Sequence, residues 1–148
     1  MMRQRVPATI DRRAFVSTCA ACAGVAFIGG CASLVTHPVP VNAGSARLRL
    51  SAFPELRTRD GAVKIQPAGM PDPIYVLASG DGGFQALSPI CTHRGCTVDI
   101  HGERLVCPCH GSTYDRAGNV LKGPAQRALT RFRTSVSGDE LTITLAAT

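Results

Sequence analysis

The chain has 148 residues, enough for one modest domain and a targeting segment and too few for a large multidomain enzyme. It is 45% hydrophobic and 18% charged, as folded proteins are, and its 15 Gly and 10 Pro favour a turn-rich, all-β design over a helical one. The formal charge of +6 does not argue for a polyanion site: Arg3, Arg5, Arg12 and Arg13 precede the first apolar stretch with only Asp11 against them. The 12 basic and 9 acidic residues from Cys31 onward are scattered, without a Lys or Arg run, so no nucleic-acid partner is expected.

Residues 1–35 read as an address. Arg12-Arg13-Ala14-Phe15-Val16 is a twin-arginine signature, and an apolar stretch of 22 residues follows from Ala14 to Val35, with charges only on its N-terminal side. A twin-arginine signal moves proteins already folded, so the body of the chain is expected to fold before export. Three fates of this segment stay open. Ile28-Gly29-Gly30-Cys31 is similar to a lipobox, which would make Cys31 a lipidated first residue. The run also has the length for an uncleaved anchor helix, which needs about 20 apolar residues. Cleavage after Val41-Asn42-Ala43 would release a soluble protein. Cys19 and Cys22, in C-x-x-C spacing within the apolar stretch, read as small apolar residues.

Residues 36–46 shift to Pro, Val, Gly and Ser without a helical period and read as a linker. Residues 47–148 then carry short β-like runs between turn signals. Arg47–Phe53 and Ala62–Gln66 alternate apolar and polar. Ile74–Ala78 and Phe84–Leu87 flank Ser79-Gly80-Asp81-Gly82-Gly83, a hairpin signal. Val98–His101 and Arg104–Val106 flank Gly102-Glu103. Phe132–Val136 and Leu141–Leu145 flank Ser137-Gly138-Asp139-Glu140, and Leu141, Ile143 and Leu145 alternate with Thr142 and Thr144 to give one buried and one wet face. The pattern predicts a small antiparallel β-sandwich or barrel with motif loops at one end. His101 beside a turn is expected in solvent, and His37 has no expected partner.

The chemistry lies in two clusters, Cys91-Thr92-His93-Arg94-Gly95-Cys96 and Cys107-Pro108-Cys109-His110-Gly111-Ser112. Thiolates and imidazoles suit iron–sulfur, zinc or copper rather than hard cations. A non-redox structural zinc module would draw four ligands from the same residue types, but it leaves two of the six candidates over and gives the following Gly and Ser no role.

These two clusters resemble the paired boxes of Rieske iron–sulfur proteins, C-T-H-x-G-C and C-P-C-H-G-S, and match at every defined position. The resemblance covers roughly Ala46 to Thr148, with its specificity in Cys91–Tyr114 and the cluster-binding part at about 88–125. It implies a Rieske 2Fe–2S cluster with Cys91 and Cys107 on one iron and His93 and His110 on the other. It also implies a Cys96–Cys109 disulfide tying the loops together, as in the cytochrome bc type. Ser112 and Tyr114 match the family's hydroxyl donors, the Ser to a bridging sulfide and the Tyr to a ligand Cys sulfur. Gly95 and Gly111 are expected to let the backbone approach the cluster. Gly123-Pro124-Ala125 is similar to the family's Pro-containing cover loop.

Replacing two thiolates by neutral imidazoles lowers the negative charge on the cluster and favours its reduced form. Such centres span about −150 to +300 mV, against about −400 mV for plant-type all-Cys clusters. Hydrogen bonds to sulfur raise the potential further, so the upper half of that range is expected. The implied function is one-electron transfer at the outer, periplasmic face of a bacterial-type membrane. The donor would be a quinol or a redox subunit, the acceptor a carrier such as cytochrome c, and the membrane attachment the N-terminus. In bc-type relatives a hydroquinone binds near an exposed His ligand and electron and proton move together, which would fall to His110 and His93 here. A small Rieske subunit of a molybdenum-type oxidase is the other redox reading. Alone, the domain would be an electron-transfer subunit rather than an enzyme. Only ten residues separate Cys96 from Cys107, fewer than in quinol-oxidising members of the family, so the intervening hairpin is trimmed.

Overall fold

The computed structural model describes residues 34–147. Among these residues twelve strands build two sheets. The larger contains β1 (Thr36–Val39), β2 (Val41–Asn42), β3 (Ser45–Arg49), β4 (Ala62–Pro67), β5 (Ile74–Ala78), β6 (Phe84–Leu87), β11 (Arg131–Ser137) and β12 (Glu140–Ala147). Their order is β1-β4-β5-β6-β11-β12-β3-β2. The smaller contains β7 (Asp99–His101), β8 (Arg104–Val106), β9 (Thr113–Asp115) and β10 (Val120–Lys122), in the order β10-β9-β8-β7. Because β6 pairs directly with β11, the whole small sheet is an insertion between two neighbouring strands of the large one. All pairings are antiparallel except β1 with β4, which is parallel.

Alternation along the strands decides where the cores sit. Ala46 and Leu48 of β3, Val63 and Ile65 of β4, and Leu141 and Ile143 of β12 turn inward to one core. Strand β5 is buried at all five positions. Its Ile74 and Val76 join that first core, while Tyr75 and Leu77 face a second core with Leu87, Val98, Leu105, Tyr114 and Leu129. The β5–β6 pair is thus a wall shared by two cores, and the second carries the small sheet. Tyr75 reinforces the join by donating its hydroxyl to the Val98 carbonyl at 2.9 Å.

The expected strands at Ile74–Ala78, Phe84–Leu87 and Arg104–Val106 form with those bounds, and Ser79–Gly83 closes the β5–β6 hairpin. Three features differ from expectation. Residues 36–46 are not a free linker: β1 pairs with β4, β2 pairs with β3, and Val39 and Ala46 enter the first core. Pro38 and Pro40 disguise this segment, yet proline is tolerated on an edge strand such as β1, where the missing N–H costs no ladder bond. His37 also gains a partner there, its ring edge-on to Phe53 with centroids 5.2 Å apart. Arg47–Phe53 is not one strand, because the chain leaves β3 after Arg49 and makes two 3-10 turns, Leu50–Ala52 and Pro54–Arg57. Strands β9 and β10, three residues each, lack the length for a visible period. His101 is exposed, as its place beside a turn suggests.

The twin-arginine pair, the apolar stretch up to Ser33, its expected anchor helix and Cys31 lie outside the described residues. No helix among the described residues is long and apolar enough to cross a membrane.

One surface contact fastens the first turn to the β11–β12 hairpin. Asp139 accepts from the Ser51 backbone N–H at 2.8 Å and from the Ser51 hydroxyl, and its own carbonyl accepts from Leu50 N–H. The Ser51 hydrogen bonds hold the Asp139 carboxyl below its ordinary value, with Arg57 and Arg49 adding to the effect. A depressed folded-state pKa stabilises the fold above the unfolded value, about 4, and that contribution disappears as pH falls through the folded value. Asp139→Asn is therefore expected to lower the urea midpoint at neutral pH, with the gap from wild type closing as the pH is taken from about 4 toward 2.

Candidate metal centre

The two Cys/His clusters form the loops at one end of the small sheet, and they repeat one backbone turn. In the first loop Cys91 N–H donates to the Cys96 carbonyl at 2.8 Å, and Gly95 N–H donates back to the Cys91 carbonyl at 2.9 Å. In the second, Cys107 N–H donates to the Ser112 carbonyl at 2.8 Å and Gly111 N–H to the Cys107 carbonyl at 2.9 Å. Gly95 and Gly111 stand at the same step with φ of 78° and 74°, in the left-handed region where a side chain is strained. A Cβ at either would meet nothing within 4 Å, so these glycines serve the turn itself rather than a close approach to other protein atoms.

The turns place their cysteines in two classes. Cys91 and Cys107 begin the turns, point into the second core and are 2% and 1% exposed. Both are free thiols. Cys96 and Cys109 lie nearer the surface and form a disulfide with a Cα–Cα distance of 6.5 Å, as the resemblance implied. The sulfurs of Cys96, Cys107 and Cys109 lie within 4.8 Å of one another, but two of them are bonded in that disulfide, so this trio is not a thiolate metal site.

His93 and His110 come together from the two loops, their rings edge-on with centroids 4.8 Å apart. His110 is exposed and His93 half-buried. Nδ1 of His93 is buried and has no hydrogen-bond partner. A buried nitrogen left unpaired costs about 1–3 kcal/mol, and a bound metal satisfies it. Two buried thiols, two adjacent imidazoles and an orphaned ring nitrogen fit a group bound through mixed sulfur and nitrogen donors.

Hydroxyls surround the first thiol. The Tyr114 hydroxyl, fully buried, lies 3.3 Å from Cys91 Sγ. It also accepts from Thr92 N–H at 3.3 Å and lies 3.2 Å from Thr92 Oγ1. Thr92 Oγ1 donates its only hydrogen to the Arg127 carbonyl at 2.6 Å, which leaves the phenol hydrogen for Cys91 Sγ or Thr92 Oγ1. A thiolate is the stronger acceptor of the two. Thr92 escaped the sequence reading because its role depends on Arg127, 35 residues away. Ser112, also fully buried, accepts from Ala125 N–H at 3.0 Å and keeps its own hydrogen to donate. That bond draws the Gly123–Ala125 loop, with its cis Gly123–Pro124 peptide, over the loops. Thr92, His93, Pro124, Gln126 and Arg127 line a cavity of about 470 Å³ there. A larger cavity of about 710 Å³, at the β5–β6 hairpin, is lined by none of the cluster residues.

The two buried thiols differ in acidity. Burial raises the Cys91 thiol, but hydrogen bonds from Tyr114, the His93 backbone, Cys107 and Ser112 outweigh it, so Cys91 lies below its ordinary value. Cys107 is pushed up, first by burial and then by its hydrogen bond to Cys91. Tyr114 is raised by burial and by its bond to Cys91. Cys91 is thus the more acidic of the two thiols.

Residues 52–133 match the Rieske 2Fe-2S domain family. The cytochrome b6-f complex iron-sulfur subunit of Synechococcus sp. (strain WH7803) is 34% identical over 149 residues, covering 89% of this chain and 83% of that one. The same subunit of Cyanothece sp. (strain PCC 7425 / ATCC 29141) is 42% identical over 77 residues, 49% of this chain and 43% of that one, so this match spans less than half of that relative. Among solved structures, the plasma membrane Rieske protein of Synechocystis PCC 6803 is 38% identical, with TM-score 0.49 over 56% of this chain and 85% of that one. A chain from the oxygenase–ferredoxin complex of carbazole 1,9a-dioxygenase, at 22% identity and TM-score 0.54 over 69% of this chain and 95% of that one, shares the fold. The chain belongs to the Rieske 2Fe–2S domain family, and its cofactor is a 2Fe–2S cluster.

Proposed function

We propose that Cys91 and Cys107 hold one iron of the cluster and His93 and His110 the other, and that the chain is a one-electron carrier. The observation behind this reading is the convergence of two free, buried thiols and two touching imidazoles from separate loops, with the other two cysteines consumed in a disulfide. When bound, the cluster supplies one reversible one-electron step. The protein's part is to tune and to shield. Tyr114 aims its hydroxyl at Cys91 Sγ, and Ser112 has a hydrogen free for a sulfur acceptor. Both stabilise added electron density and raise the potential. The disulfide fastens the loops to each other, and the Pro124 loop, held by Ala125 to Ser112, screens one side from water. Exposed His110 gives the electron its shortest way to the surface.

Within this reading the chain is the iron–sulfur subunit of a quinol-oxidising, cytochrome bc-like or b6-f-like chain, passing electrons to a carrier such as cytochrome c. The names of its relatives support that placement over the molybdenum-oxidase alternative. Residues 1–35 act as a twin-arginine signal and membrane attachment, which puts the domain on the periplasmic side, with Cys31 as the lipidation point if the segment is cut there. The Arg12-Arg13 pair and the apolar run that follows support this.

An absorption spectrum, with an EPR spectrum taken after reduction with ascorbate, is expected to show a 2Fe–2S centre with mixed sulfur and nitrogen ligands; a colourless protein, EPR-silent after reduction and holding stoichiometric zinc, would end the reading. Tyr114→Phe is expected to lower the midpoint potential by tens of millivolts, on the order of 1 kcal/mol for one hydrogen bond. A redox titration of both proteins measures it, and an unmoved potential removes Tyr114 from the tuning role. Cys96→Ser or Cys109→Ser deletes no ligand and is expected to speed loss of cluster absorbance on dilution or mild heating, followed as a bleaching rate against wild type.

A further inference from the structure

The structure gathers charge that the sequence spreads out. The described residues carry 12 basic and 9 acidic side chains. Three segments make the exposed end around the two histidines: 88–97, 107–113 and 121–130. They contain Arg94, Lys122 and Arg127 and no Asp or Glu. The remainder of the described chain has nine residues of each sign, so its whole excess of +3 lies at this end.

The three cations sit on or next to the segments that carry the histidines. Arg94 follows His93 directly. Arg127 shares the cavity lined by His93 and Pro124, and its carbonyl is tied to Thr92. Lys122 stands opposite Thr113 in the β9–β10 pair, two residues before Pro124. All three are exposed, and among the described residues none makes an ion pair or side-chain hydrogen bond, unlike Arg47, which pairs with Glu140. Leu121, at 56% exposure one of the few large exposed apolar side chains, lies beside Lys122, and Pro108 and Pro124 are also exposed. An apolar centre with a charged rim is the make-up of a protein contact.

We infer that this end docks a redox protein whose contact face is acidic, with Arg94, Lys122 and Arg127 steering it onto the exposed histidine. The inference rests on the electron-transfer reading and adds the charge of the partner. An anionic lipid surface would be drawn by the same cations, but it gives no use to an exposed histidine at their centre. Charges in a rim around the transfer point act on encounter rate and orientation, and salt screens them.

The test uses the full-length, cluster-loaded, reduced protein and two acceptors that differ in charge: basic mitochondrial cytochrome c and the same cytochrome with its lysines succinylated. One electron passes from the reduced cluster to the ferric haem, leaving an oxidised cluster and ferrous cytochrome, and stopped-flow absorbance follows the rate. At low salt the succinylated form is expected to react on the order of tenfold faster, with the advantage collapsing near 0.3 M salt. The triple variant R94E/K122E/R127E is expected to reverse the preference, and the neutral R94Q/K122Q/R127Q to abolish it. R49E/R59E/R133E, the same charge change on exposed positions outside the three segments, should keep it. EPR and midpoint potential of every variant separate docking from damage to the cluster. Equal rates with both cytochromes at low salt, or an equal effect of the remote triple, overturns the acidic partner and leaves electron transfer standing. Loss of binding to anionic phospholipid vesicles in R94E/K122E/R127E, with the cytochrome preference unchanged, overturns it in favour of a membrane contact. No transfer to either cytochrome from an EPR-intact protein sinks both readings.

Discussion

Strand β5 must bury both of its faces, and the architecture follows from that demand. A strand with Ile74 and Val76 on one side and Tyr75 and Leu77 on the other cannot leave either side to water, so a second layer has to cover the odd-numbered face. The cover is the small sheet, inserted between β6 and β11, and its loops project beyond the shared wall. Cys91 and Cys107 belong to this second core as much as Leu105 and Leu129 do. The centre is therefore built on the hydrophobic packing of the insertion, with the thiols at the packed end and the histidines at the wet end.

Two copies of one turn do the local work, and their differences matter as much as their likeness. Each turn fixes its first cysteine by a pair of backbone bonds closed through a left-handed glycine. The first turn places its histidine two residues after the cysteine, the second three residues after, and the disulfide joins the sixth residue of the first turn to the third of the second. Equivalent frames with unlike side chains thus bring two buried thiols and two adjacent imidazoles to one end without inserting extra chain. The electrostatics are also unequal: Cys91 has Tyr114 and Ser112 to offset its burial, while Cys107 is left raised. The hydroxyls thus act mainly on one side of the centre, and Thr92 couples that side to the Arg127 loop.

The exposed end combines this polarity with a charge pattern of its own. The base of the domain balances its charges, as at Arg47–Glu140, whereas the cations beside His93 and His110 have no ion-pair partner among the described residues. Exposed pairs of this sort add little stability, so the distribution bears on association rather than on folding.

In the sequence, the match of the two Cys/His boxes to the Rieske pattern determined the candidate donors, Cys91, His93, Cys107 and His110, because C-x-H and C-x-x-H with following Cys, Gly and Ser are local patterns that a short turn either satisfies or does not. Period-2 alternation likewise determined β4 and β12, and turn residues between short apolar runs determined β5, β6 and β8. Tertiary structure decided what depends on residues remote in sequence. Residues 36–46 look like a linker until β4 and β3 supply their partners, since edge strands with proline carry no period of their own. β9 exists because β8 offers it a ladder, and β10 because β9 does. Thr92 acts only through Arg127, the Pro124 loop is held only through Ser112, and Arg94, Lys122 and Arg127 become one cationic rim only when three loops meet at one end. Contacts of that kind have no signature along the chain: the energy that selects them arises from surfaces that touch after folding.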